Sequence, residues 1–161
     1  MFSIGDKVVH PLHGAGIIES ITQERLAGKL GQYYVFRMPT GGLTLKIPTE
    51  NYGAVGLRSL LSGDEMEQLL RKIPHLDSEM TNNWNRRYRE NMEKLKSGDL
   101  VEVARVIKGL ILRDVKQGLS TGERKMLQSA KQVLLSELVF VKGVTYEAAE
   151  KLLLEAVMES G

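Results

Sequence analysis

The chain has 161 residues, 42% of them hydrophobic and 26% charged, which is enough to bury a core and too apolar for global disorder. It contains no cysteine, so disulfides, thiolate metal sites and cysteine nucleophiles are excluded. A net charge of +2 hides an uneven spread: residues 84–131 hold twelve Lys/Arg against six Asp/Glu, and residues 132–161 hold two against five.

A basic middle beside an acidic end can orient a polyanion. The same excess also arises when cations merely coat helix faces. The N-terminus, Met-Phe-Ser-Ile-Gly-Asp, has no basic region followed by an apolar run, so no signal peptide is expected. No apolar stretch approaches the roughly 20 residues needed to span a bilayer. The expectation is a soluble, cytoplasmic protein.

Residues 1–58 predict a small antiparallel β domain. Lys7–His10 is a short apolar run closed by the turn formers Pro11-Leu12-His13-Gly14. Ala15 to Thr22 is rich in β-branched residues, and Gly28 and Gly31 punctuate the connection that follows. Gln32 to Met38 is an aromatic and β-branched strand, Pro39-Thr40-Gly41-Gly42 a hairpin signal, and Leu43 to Pro48 alternates with period two. Short strands joined by glycine-containing turns suggest a curled sheet or open barrel. Sheets of this size often bind partners through an exposed edge strand.

Two apparent motifs in this half carry little. Gly14-Ala15-Gly16 lacks the third glycine and the helix that a dinucleotide loop requires. His10 and His13 have no carboxylate or third histidine nearby to complete a metal site. No metal or cofactor is expected.

From residue 59 to residue 161 the period is helical. Ser62-Gly-Asp-Glu65 reads as a capping box leading into Met66, Leu69, Leu70 and Ile73, and Pro74 ends that helix. Thr81 or Asn82 can cap the next, on which Trp84, Tyr88, Met92 and Leu95 share one face. Gly98 closes it. Asp99-Leu-Val-Glu102 reads as a second capping box, opening a helix with Leu100, Val103, Ala104, Ile107, Leu110 and Ile111 inside and Arg105, Lys108, Arg113 and Lys116 outside. Ser120-Thr-Gly-Glu123 reads as a third, ahead of Met126, Leu127, Ala130, Val133, Leu134 and Leu138. Gly143 and Thr145 separate a last helix built on Ala148, Ala149, Leu152, Leu153 and Ala156. The predicted class is α+β: a small N-terminal sheet, residues 1–58, followed by a C-terminal α-helical bundle, residues 59–161.

No spacing suggests an enzyme: there is no nucleophile–base constellation, Walker loop or paired-histidine motif. The informative stretch is Thr81-Asn-Asn-Trp84-Asn-Arg86-Arg87-Tyr88-Arg89, which holds the sole tryptophan and three arginines. An apolar wedge beside guanidinium groups is a combination that suits minor-groove binders. The stripe of Trp84 with Tyr88, Met92 and Leu95 equally suits a core position with solvated arginines. The residues leave both readings open. A protein–protein scaffold with a β docking domain and a helical dimerisation domain is the alternative from another class.

The whole chain resembles the CarD/CdnL family of bacterial transcription regulators. The matching stretches are Phe2 to Gly16, Leu43 to Pro48, Asn83 to Leu95 and Leu119 to Leu127. The N-terminal part is also similar to the polymerase-interacting domain of transcription-repair coupling factors, whose helicase motifs this chain lacks. The resemblance implies a Tudor-like N-terminal domain that binds the β subunit of RNA polymerase. It implies a helical domain that meets promoter DNA at the upstream edge of the bubble and stabilises the open complex. There a tryptophan wedges into the minor groove near the −10 element. Carried over, Trp84 is the wedge, Arg86, Arg87, Arg89 and Arg124 are DNA contacts, and Lys46 and Arg25 belong to the polymerase-facing surface. Glu24 departs from the pattern, since family members can carry a basic residue there. A monomer without cofactor or membrane contact completes the expectation.

Overall fold

The structure, a computed structural model, describes residues 2–39, 42–50 and 56–159. Five strands form one antiparallel sheet: β1 (Lys7–His10), β2 (Gly14–Leu26), β3 (Lys29–Arg37), β4 (Thr44–Pro48) and β5 (Arg58–Ser59), in the order β4-β3-β2-β1-β5. Among the described residues five α-helices follow: α1 (Gly63–Lys72), α2 (Trp84–Lys96), α3 (Leu100–Gln117), α4 (Thr121–Lys142) and α5 (Tyr146–Met158), with a 3-10 turn at Ile73–His75 after α1. The α+β class expected from the sequence is the observed one. No helix among the described residues is long and apolar enough to cross a membrane.

β2 and β3 run longer than their apolar patterns, because their polar ends continue as a two-stranded ribbon. Glu24↔Gly31 and Leu26↔Lys29 close it on a two-residue turn. Both turn residues have positive φ, 52° at Ala27 and 80° at Gly28, the combination that matches the strands' right-handed twist. In the next hairpin Thr40 and Gly41 lie outside the described residues, while Met38 N–H donates to Leu43 O at 2.9 Å across it. β5 was not legible, since two residues carry no period. It pairs with β1 through Val8↔Ser59 and Val9↔Arg58, so the division expected between residues 58 and 59 cuts this strand.

The sheet has its own core of Val8, Ile18, Tyr34, Phe36, Met38, Ile47 and Leu57. The bundle core runs from Met66 and Ile73 through Ile107 and Leu134 to Leu153. Between them, Val9, Ala15 and Val133 form a third cluster. Polar contacts reinforce this junction. Ala15 N–H donates to Ser136 Oγ at 2.8 Å. Arg58 donates both Nη atoms to the fully buried Glu137 carboxylate, at 3.0 and 2.6 Å, and Leu61 N–H adds a third bond at 2.7 Å.

Of the three capping boxes expected, the first forms: Ser62 and Glu65 bond each other's backbone N–H. At α3 Asp99 caps through Val101 N–H, and Glu102 turns instead to Arg105 Nε at 3.2 Å. Lys108, placed on the outer face by the pattern, is buried. Its ammonium donates to the carbonyls of Ile73, Pro74 and Leu76, each at 2.9 Å, in and just after the 3-10 turn that follows α1.

Candidate nucleic-acid interface

Asn83, two residues after Thr81 and one after Asn82, the caps expected, begins α2 by accepting the Arg86 N–H at 3.0 Å. Trp84 is therefore the first helical residue. Further along its face, Tyr88, Met92 and Leu95 pack on Val106, Leu110 and Met126 and fix the helix to the bundle. Trp84 lies past the end of that packing and is 43% exposed, so it is not a core residue.

The exposed indole is nonetheless held. Its ring stacks on Tyr88 with centroids 5.2 Å apart and planes 19° off parallel. Its Nε1–H donates to Ser120 Oγ at 3.0 Å. A Cβ added to Gly122 would sit 3.8 Å from the indole, so the ring lies over the first turn of α4. The N-termini of α2 and α4 thus meet beside the tryptophan, and their unpaired N–H groups add partial positive charge there.

Behind the indole lies a buried polar network. Arg87 is only 3% exposed and Glu123 2%. Arg87 Nε and Nη2 donate to the two Glu123 oxygens at 2.8 and 3.2 Å, and Nη1 donates to the carbonyls of Thr81 and Asn82. Ser120 Oγ donates to Glu123 Oε1 at 3.1 Å and accepts the Glu123 N–H. The Arg87 guanidinium holds the Glu123 carboxyl below the usual carboxylate range, against burial, which pushes it up. This corrects the expectation for Arg87. Its cation is paired with Glu123 and almost fully buried, unlike the open guanidinium expected of a phosphate contact.

The other arginines remain outside. Arg86 is exposed and tied to Glu90 at 2.8 Å, Arg89 is exposed, and Arg124, one turn along α4 from Ser120, is exposed at 3.8 Å from Asp114. Solvent-screened pairs of this kind cost little to exchange for a phosphate. Arg25 and Lys46 lie on the sheet, away from this cluster in sequence and element. Lys46 Nζ is held by Glu24 at 2.7 Å, and Arg25 reaches toward Gly28 O at 3.4 Å. His10 and His13 lie with ring centroids 4.7 Å apart and planes tilted by 45°, and His10 Nδ1 accepts Leu12 N–H. Among the described residues no three His, Cys, Asp or Glu side chains are grouped to hold a metal.

Ser120 caps α4 as the sequence pattern suggests, but its bond to Trp84 and the Glu123 pair with Arg87 were not legible in that pattern. The pairs Trp84/Arg87 and Ser120/Glu123 share the same spacing of three. That is the one signal available before the helices are packed together, and it carries no information about which helix faces which.

Two family models match the chain: "CarD-like/TRCF RID domain" over residues 2–60 and "CarD, C-terminal domain" over residues 68–154. The chain is 36% identical over 145 residues to "Putative transcription factor YdeB" of Bacillus subtilis (strain 168), covering 90% of this chain and 95% of that one. The solution NMR structure of the 72-residue N-terminal domain of Myxococcus xanthus CarD is also similar, with 25% identity and a TM-score of 0.33. That likeness covers 37% of this chain and 79% of that one.

Proposed function

The chain belongs to the CarD family of transcription regulators, and from that premise we propose that its sheet binds the β subunit of RNA polymerase while its helical half meets promoter DNA at the upstream edge of the bubble. The observation that carries this reading is the placement of Trp84: a large apolar ring, half out of the protein, braced on Tyr88 and Ser120. Arg86, Arg89 and Arg124 stand around it as phosphate contacts. Minor-groove wedges need this combination of a stiff apolar group and flanking cations, since the unstacking they cause must be offset by contacts to the backbone.

The mechanism follows from linkage. Docking on the polymerase raises the local concentration of the helical half at the promoter, so a weak intrinsic DNA affinity suffices. The indole then shifts the equilibrium only by the free energy it gains in melted DNA over closed DNA. A difference of about 1.4 kcal/mol is tenfold in the ratio of open to closed complexes. Trp84→Ala should leave polymerase binding intact and shorten open-complex lifetime by about that factor. The lifetime is read with purified polymerase on a slowly melting promoter, and an unchanged lifetime overturns the wedge.

A further inference from the structure

Beside the tryptophan, α2 and α4 leave a concavity of about 330 Å³ that the proposed DNA contact does not use. Its floor is the bundle interior at Met126 and Ala130, and its wall is the Met92 and Leu95 side of α2. The turn between β1 and β2 supplies the lip, where Leu12 is 63% exposed. Two cations flank this apolar surface, Lys96 at the end of α2 and Lys125 on α4. Both are exposed, and neither forms an ion pair with a described residue.

We infer that this groove binds a small amphipathic anion: an apolar body laid against Met92, Leu95 and Met126, with its carboxylate between Lys96 and Lys125. The volume stands at the small end of ligand cavities, which suits a compact molecule and not a protein element. Apolar walls uncovered in water cost free energy in proportion to their area, so an apolar body is the occupant they favour. The two unpaired ammonium groups decide the sign of its polar end, because an anion gains Coulomb energy there and a cation loses it. Tyr88 lines the same groove and carries the stacked Trp84, so occupancy is coupled to the environment of the sole tryptophan.

The test is a titration of the full chain with decanoate, decanol and decyltrimethylammonium, read by Trp84 fluorescence and by amide chemical shifts. Decanoate is expected to bind saturably, with shifts centred on Met92, Leu95, Met126 and Ala130, and more tightly than either comparison compound. Lys96→Glu with Lys125→Glu should weaken decanoate roughly tenfold, as expected for two exposed ion pairs at the upper end of their range, and leave decanol unchanged. These side chains are exposed, and retained helical circular dichroism checks the fold of the variant. Equal binding of decanol, shifts centred elsewhere or a response that does not saturate each overturn the inference, and the shifts of the unsubstituted chain decide it whatever the variant does.

Discussion

A guanidinium and a carboxylate both removed from water stay charged only because each meets the other, and Arg87 and Glu123 do so at 2.8 Å with two backbone carbonyls taking the Nη1 donors. Removing one partner leaves the other charge buried and unpaired. Glu123→Gln should therefore cost on the order of 3 kcal/mol in chemical denaturation and loosen Ser120, with a change in Trp84 fluorescence. The pH dependence has two windows of the same sign. Glu123 has a depressed folded value, so its contribution is present above the ordinary carboxylate range and is lost as pH falls through that lower value. His10 is lowered from 6.5 to about 4, first by burial and then by His13, so the fold favours its neutral form. Its contribution is whole above pH 6.5 and disappears as pH falls toward about 4. Asn at position 10 can still accept the Leu12 N–H through its amide oxygen but does not titrate. His10→Asn should accordingly flatten the fall in thermal stability between pH 6.5 and 4 while leaving the acid loss from Glu123. An unchanged slope would show that His10 is not the group responsible.

At the scale of elements, α2 shows how far a periodic pattern can be trusted. Its apolar stripe was legible and does anchor the helix, yet its buried positions are Arg87 and Asn91, while Tyr88 and Met92 stay partly exposed. A hydrophobicity pattern cannot show that a cation will be buried when its partner sits on another helix, 36 residues away. The same limit applies to Lys108, whose three carbonyl acceptors come from a turn over 30 residues earlier. By contrast, the caps at Ser62, Asp99 and Ser120 were readable because their bonds are local. On the sheet, β4 is an edge strand with Lys46 tethered to Glu24 of β2 across the intervening β3. Lys46→Glu sets two carboxylates against each other and reverses the charge the edge presents. It should abolish pull-down of the polymerase β subunit, and retained binding would place the docking surface elsewhere.

For the molecule as a whole, the junction between sheet and bundle decides whether docking at one end can aim the tryptophan at the other. Gly14 stands at that junction with φ 106°, and an added Cβ would lie 2.3 Å from Ser136 Oγ and 3.2 Å from Gln132 O. Only glycine combines that backbone with so close an approach to α4. The sheet core and the bundle core are otherwise separate clusters, joined by Val9, Ala15 and Val133, the Ala15–Ser136 bond and the Arg58–Glu137 pair. Gly14→Ala should therefore disturb the joint more than either half. Unfolding followed by Trp84 fluorescence, which reports the bundle, should separate from unfolding followed by sheet amide signals. Polymerase pull-down and DNA affinity measured singly should persist, because none of the proposed contact residues is among the atoms that crowd Gly14. Open-complex lifetime should nonetheless fall toward that of Trp84→Ala, since a tether raises effective concentration only when its geometry lets both sites engage together. A full lifetime with the two unfolding transitions separated would show that the promoter contact tolerates a flexible joint.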